Sequence, residues 1–474
     1  MSERLECWSW AHGYFGDAEL GDSRRTARLV RVTARAAETP SGKLSEVFAR
    51  ASELDAAYDF IERDQTSVER LCEAAGSATA KKACKAPEHV FVVVDGSSIN
   101  VIDGTGRKGV GSVGSQANGG RGLKVISALA VSRAGVPVGV LAQTWWARPP
   151  SKGTKYQKKV ARKRRKPEEK ELRYWLQSIR DSARRLEAAK ARGWFQLDRE
   201  GDAWPLLLEL AESGHRFTVR SAWDRVVTAT GKDKQRLRAR LAEQVPLGVY
   251  AIDVPASGSR KAREARMVLR AVEVTLQLRD ERTQKVTPLT VSVAWVREEG
   301  TTPPGEKPLD WMLLSNAPID DADSARAIVL GYAMRWRIEE FHKTWKTGAC
   351  NVEQTQLRSR NAIIRWATIL AVVAARIEEL KRLSRTEPQR PATDALSEVE
   401  IDVLVALKRR QKKRTETVPD GIPTIDQAVR WLADIGGYTG KSSGGPPGSI
   451  TIRRGLDRLQ MAIEGVLAMR RSPK

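Results

Sequence analysis

Apolar residues recur at helical spacing through the first eighty residues. Asp22 and Ser23 are helix N-cap types, and Pro40 closes the segment that follows. Leu54, Tyr58 and Ile61 share one helix face, and Thr66-Ser67 opens another helix. At His89 the period changes. Val90-Phe91-Val92-Val93-Val94 is an unbroken apolar run, predicting a buried strand that delivers Asp95 at its end. A glycine-rich stretch, Gly104 to Gly122, predicts a hairpin or loop, and strands follow at 123–131 and 136–146. Then come a helix at 168–192, a strand at 193–197 ending in Asp198, a helix at 203–213 and a strand at 216–220. Residues 223–308 alternate, most clearly over Val268–Leu276 and Val291–Trp295, and predict an inserted antiparallel β subdomain. Trp311–Leu314 reads as a returning strand. One helix is predicted from Asp323 to Lys346, a long apolar one over 362–380, a linker over 384–393 and helices beyond it. Leu456, Leu459, Ile463 and Val466 make a narrow seam, suited equally to a partner helix or to packing within the subunit.

Composition narrows the class. The chain has 474 residues, 41% of them hydrophobic, with 14 Trp, which is enough apolar material for about three domains and excludes disorder throughout. Cys7, Cys72, Cys84 and Cys350 form no CxxC pair, which disfavours a zinc ribbon or a disulfide framework and fits a reducing cytosol. No apolar run follows a basic start, so no signal peptide is expected, and the 366–375 stretch is too short to span a bilayer.

With 81 Lys and Arg against 58 Asp and Glu, the formal charge is +23, and a chain so cationic suits a polyanionic partner. Free use of arginine on solvated faces is the plainer reading, so local clustering decides. Arg24, Arg28, Arg31 and Arg35 recur at spacings of 4, 3 and 4, with Arg25 beside them, and no acid intervenes between Asp22 and Glu38. Such a one-sign stripe matches a row of phosphates. Residues 151–166 hold nine Lys or Arg and no acid. That run fits a solvated insertion or a nonspecific phosphate contact.

The chemistry gathers on the helix predicted to end at Lys346. At 100° per residue from Tyr332, Arg335 falls at roughly −60°, Glu339 at about −20° and Lys346 near −40°. One acid therefore shares a stripe with a phenol, a guanidinium and an ammonium. Exposed i,i+4 charge lacing is the plainer explanation. Asp95 and Asp198 at strand ends complete a trio with Glu339. Three carboxylates delivered in this way can hold two Mg²⁺ ions, with Mn²⁺ as a substitute, for in-line attack on phosphorus.

Tyr332, Arg335, Glu339 and Lys346 match the Y-(2)-R-(3)-E-(6)-K signature of bacterial DDE transposases of the insertion-sequence-four family, which the chain resembles over most of its length. Leu20–Val30 resembles that family's end-binding segment, and Asp95-Gly96-Ser97-Ser98 and Asp198-Arg199-Glu200-Gly201-Asp202 resemble its acid motifs, with Asp198 favoured over Asp202. The resemblance implies an α/β fold: a ribonuclease-H-like mixed-sheet core at 85–222 and 309–383, the β insertion at 223–308, a helical end-binding domain at 1–80 and a helical dimerisation domain at 390–474. It implies cut-and-paste transposition in which a homodimer pairs two transposon ends in a synaptic complex. The ends are cleaved through a hairpin and the 3′-hydroxyls joined to target DNA, in a bacterial cytoplasm at the nucleoid.

Asp95, Asp198 and Glu339 would be the catalytic and metal-binding residues. Arg335 and Lys346 would hold phosphates, and Tyr332 would donate a hydrogen bond to DNA. Trp311, 21 positions before Tyr332, would stack on a flipped base. Arg24, Arg25, Arg28, Arg220, His342 and Lys343 complete the expected DNA contacts. Residues 151–166 are more basic than the corresponding family segment, and Ala222-Trp223 stands where the family has a lysine. The competing readings are a catalytically silent, transposase-derived DNA-binding inhibitor and a structure-selective nuclease on the same fold.

Overall fold

Strand alternation and helix periodicity resolve into one large sheet wrapped by helices. The computed structural model describes residues 6–63, 66–114, 119–149, 154, 156–157, 160, 169–228, 234–254, 261–280, 282–411, 417–440 and 445–471. Most of the basic run at 151–166 lies outside the described residues.

The N-terminal helices are α1 (Glu6–Phe15), α2 (Ser23–Glu38), α3 (Leu44–Val47), α4 (Ala51–Glu62) and α5 (Val68–Ala83). The expected caps form: Asp22 accepts from the Arg24 N–H at the start of α2, and Ser67 accepts from the Arg70 N–H at the start of α5. The core continues with β1 (Val90–Asn100), β2 (Gly111–Ser112), β3 (Arg121–Val131), β4 (Pro137–Trp146), α6 (Leu172–Ala188), β5 (Gly193–Leu197), α7 (Trp204–Glu212) and β6 (Arg216–Arg220). Next are β7 (Val226–Thr228), β8 (Lys234–Arg236), α8 (Leu237–Ala242), β9 (Gly248–Val254), β10 (Arg263–Arg279), β11 (Val286–Glu298) and β12 (Asp310–Ser315). The chain closes with α9 (Ala322–Ala333), α10 (Trp336–Lys346), α11 (Arg360–Thr386), α12 (Glu398–Gln411), α13 (Ile425–Ile435) and α14 (Ser449–Arg471).

Among the described residues the strands form a 12-stranded sheet in the order β2-β3-β1-β5-β6-β12-β11-β10-β7-β8, with β4 on β3 and β9 on β10. β4, β3 and β1 are antiparallel neighbours, and β5 and β6 then add parallel to β1. The β1–β5 crossover contains α6, as a parallel connection requires. The strands of the 223–308 stretch do not form a detached sheet. β11 pairs with β12, which pairs with β6, so the insertion continues the core sheet.

Val90, Val92, Val94, Phe195 and Leu197 pack toward α6 and α7. Phe91 and Val93 face the opposite layer, built from the N-terminal helices and α9 to α11. α11 is buried over most of its length, as a helix apolar all round must be. It also ties the N-terminal helices to the core: buried Arg365 donates from Nη1 to the Ile61 carbonyl (2.8 Å) and from Nε to that of Thr66 (2.6 Å).

Three expectations are corrected, and of the two readings of the C-terminal seam the chain itself fills one. β1 does not end at Asp95 but runs on to Asn100, paired with β3 throughout. The helix expected over 323–346 is two helices. Between them Met334 and Arg335 donate to the Gly331 and Tyr332 carbonyls, so i→i+3 bonds tighten the chain and the 100° stripe drawn from Tyr332 does not hold across the junction. The stretch read as a linker from 384 begins as helix, because α11 continues to Thr386. In the C-terminal seam, Leu456, Leu459 and Ile463 are buried within the chain.

Candidate active site

Parallel register creates the site. Val94 of β1 pairs with Leu197 of β5, so the next residues on two neighbouring parallel strands are Asp95 and Asp198. Adjacent strands lie roughly 4.8 Å apart, which sets two carboxylates side by side. Alternation puts Asp95 on the face of Phe91 and Val93, the side covered by α10. Glu339 sits in the first turn of that helix.

Each acid is held differently. The Asp95 side chain is 20% exposed; its Oδ1 accepts from the Gly96 N–H at 2.8 Å. Asp198 caps the short turn Arg199–Gly201, accepting from the Glu200 N–H at 2.8 Å. Glu339 is exposed, and its Oε1 accepts from Arg335 Nη2 at 2.8 Å. Arg335 Nη1 lies 3.7 Å from Asp95 Oδ2, so one guanidinium bridges two of the three acids. Burial and the neighbouring Asp198 push the Asp95 carboxyl up to about 7; Glu339 adds to the rise, while Arg335 and the Gly96 N–H oppose it.

Among the described residues, no group of three or more His, Cys, Asp or Glu is drawn tightly enough to hold a metal ion. The acid trio is therefore more open than expected, with Arg335 between two of its members. The donor set nonetheless fits Mg²⁺: it is all carboxylate oxygen, without His or Cys, and carries more negative charge than Arg335 alone balances.

The neighbouring acids are engaged in the fold. Asp202 is buried, and it accepts from the Ala222 N–H (2.6 Å) and from Arg225 Nη1 (3.0 Å), with a second contact to Arg225 Nη2. This gives a physical reason to separate it from Asp198. Glu340 pairs with Arg337 at 3.2 Å and with Arg382.

The other expected contacts divide. Lys343 is exposed, and half-buried Lys346 lies 3.9 Å from Glu353. Glu353 accepts from the Asn100 N–H at 2.9 Å and so ties α10 to the end of β1. It carried no motif in the sequence that could have singled it out. Trp311 is half-buried, its ring edge-on to Tyr332 at 5.6 Å, and Arg220 donates from Nη2 to the Asp310 carbonyl at 2.9 Å.

Two of the expected contact residues are buried. Tyr332 is 3% exposed, beside Trp311; burial pushes its phenol up, with Arg335 and Arg220 opposing. His342 is 7% exposed beside Phe341 and Trp345, and burial lowers its pKa to about 3. It is neutral at physiological pH and offers no cation to DNA.

On α2, Arg24 and Arg31 are exposed and Arg28 half-exposed, while Arg25 donates from Nη1 to the Leu20 carbonyl at 3.2 Å. Arg35 leaves the stripe. It pairs with Glu38 (2.9 Å), Glu53 (3.7 Å) and Glu464 of α14 (2.7 Å).

A mixed sheet with acids side by side at two neighbouring parallel strands, and a third on a covering helix, fits a ribonuclease-H-like core. Three family matches carry the identification further: transposase DNA-binding over residues 8–66, transposase DDE domain over 143–375 and transposase Tn5 dimerisation domain over 372–473. The chain carries the domains of a Tn5-like DDE transposase: one for DNA binding, a ribonuclease-H-like DDE core and one for homodimer formation. DDE domains use divalent metal ions. The DDE match includes Asp198, Glu339, Tyr332, Arg335 and Lys346, while Asp95 precedes it. No helix among the described residues is long and apolar enough to cross a membrane.

Proposed function

We propose that the protein is a cut-and-paste transposase of the insertion-sequence-four family, with Asp95, Asp198 and Glu339 as its catalytic and metal-binding residues. The observation that carries this reading is the β1–β5 register, which makes Asp95 and Asp198 neighbours, together with Arg335 linking Asp95 to Glu339. Its parts are the division expected from sequence: an end-binding domain at 1–80, a core at 85–222 and 309–383, an insertion at 223–308 and a dimerisation domain at 390–474.

Asp95, Asp198 and Glu339 would hold two Mg²⁺ ions, with Mn²⁺ able to substitute. Bound divalent ions supply Lewis acidity, which activates a water or 3′-hydroxyl and stabilises the departing oxygen. The chain's own groups orient the DNA. Arg24, Arg28 and Arg31 on α2 take backbone phosphates of the transposon end, with Arg25 at the start of that helix. Arg335, Lys346, Lys343 and Arg220 hold phosphates at the acid site. Trp311, braced edge-on by Tyr332, offers an indole face to a base removed from the stack while a hairpin forms. A homodimer brings two ends into a synaptic complex, and the freed 3′-hydroxyls attack target DNA, in a bacterial cytoplasm at the nucleoid.

The test uses a duplex carrying the terminal repeat that flanks the gene, with Mg²⁺. Wild type should nick the end and insert a tagged end into a plasmid. Glu339→Gln and Asp198→Asn should bind the same duplex and lose cleavage by at least about 10³-fold. Undiminished cutting by either variant removes that residue from the mechanism. Binding without any cutting by wild type, whatever the divalent metal, would instead make the chain an inhibitor. Cutting without insertion would make it a nuclease.

A further inference from the structure

We infer that Arg335 is the resident cation of the acid site, and that it must exchange Asp95 and Glu339 for a DNA phosphate before divalent metal can bind, so that DNA and metal load the site together. The inference rests on the metal-binding reading above and adds an order of events to it.

Four observations converge. The Arg335 guanidinium spans the two acids, 2.8 Å from Glu339 Oε1 and 3.7 Å from Asp95 Oδ2, with its side chain only 11% exposed. On the metal-binding reading those two carboxylates are donors, and a guanidinium seated between them opposes a second cation by its charge. The trio is too open to hold a metal as it stands, as expected where a planar guanidinium separates two acids.

The seat does not satisfy Arg335. Its Nε is buried and finds no hydrogen-bond partner among the described residues. A phosphate oxygen pair is the better match for the guanidinium fork, because it accepts two parallel charge-assisted bonds. A way out of the seat exists: the guanidinium lies over the Trp336 ring, 5.1 Å from its centroid, and that indole is 52% exposed. The guanidinium can slide along the indole face toward solvent without losing its cation–π contact.

Two neighbouring cations of α10 have other partners. Lys346 is directed to Glu353 at 3.9 Å, and Arg337 to Glu340 at 3.2 Å. When Arg335 leaves, the carboxylates are left with uncompensated charge, which raises their affinity for a divalent ion. By linkage, metal in the site must then strengthen DNA binding by the same factor. The device would keep a nuclease centre metal-poor until its substrate is present.

The experiment measures Mn²⁺ binding to the full chain by calorimetry, with Mn²⁺ as the probe. Wild type without DNA should bind weakly, and Arg335→Gln at least about tenfold more tightly, because a competing charge has gone. Arg335→Lys, which keeps the charge, should stay near wild type, and circular dichroism checks that both variants fold. Adding the terminal-repeat duplex should tighten Mn²⁺ binding to wild type by a similar factor and leave Arg335→Gln unchanged. If Arg335→Gln binds Mn²⁺ no more tightly than wild type, the lock is overturned. Asp95→Asn separates this from failure of the underlying reading. If it weakens Mn²⁺ binding, the metal site stands and only the lock is lost; if it does not, the metal is elsewhere and both fall.

Discussion

Asp198 and Asp202 stand four residues apart on one turn, and Glu339 and Glu340 are neighbours on one helix, yet the members of each pair have opposite fates. Asp202 is buried against Arg225 and the Ala222 N–H, and Glu340 is gripped by Arg337 and Arg382. Asp198 and Glu339 are more open, and each keeps an oxygen without a hydrogen bond among the described residues. One acid of each pair anchors structure, and the other does so far less. A carboxylate saturated by arginine and amides has little left for a metal ion; one that only caps a short turn, or whose single guanidinium can leave, has more.

This contrast predicts which substitutions unfold the protein and which only silence it. The largest stability effect should come from Asp202→Asn. It leaves the half-buried Arg225 without its ion pair and should cost about 3 kcal/mol in denaturant unfolding. Asp198→Asn keeps a cap acceptor and should stay within about 0.5 kcal/mol of wild type. Equal losses from the two would erase the distinction between them.

Asp95 sharpens the comparison through pH. Its carboxyl sits at about 7 in the folded chain against an ordinary 3.8, so between these values the folded state binds a proton that the unfolded state has released. Stability contributed by this group is therefore present at low pH and lost as pH rises through 7. Metal-free Asp95→Asn should be more stable than wild type at pH 8 by about 1–3 kcal/mol and equal to it near pH 4. Thermal melts at the two pH values check this, and a variant less stable at pH 8 would contradict it.

The smallest effect lies on α2, where the same division recurs among arginines. Arg28→Ala or Arg31→Ala should each lower the salt dependence of end binding by about one unit of slope in log K against log salt. Arg35, engaged with Glu38, Glu53 and Glu464, should leave the slope unchanged when replaced. Fluorescence anisotropy over a salt series distinguishes the two outcomes.

Local signals were legible in the sequence and non-local ones were not. Caps at Asp22 and Ser67, the apolar run at 90–94 and the strand ending at Asp198 follow from residues within a few positions of one another. The adjacency of Asp95 and Asp198 depends on a register between strands about a hundred residues apart, which no local pattern encodes. The break at Met334-Arg335 carries no glycine or proline to announce it, so the continuous stripe was the natural reading of Tyr332 to Lys346. Arg35 looked like part of a phosphate row because two of its three partners, Glu53 and Glu464, lie on other helices. Composition cannot tell an engaged charge from a free one; only the fold does that.

The most direct test is to locate manganese by anomalous scattering in crystals of the protein bound to its terminal-repeat duplex. The expected result is density contacted by Asp95, Asp198 and Glu339, with Arg335 drawn off to a phosphate. Manganese bound elsewhere, or a site that leaves out any of those three carboxylates, would contradict it.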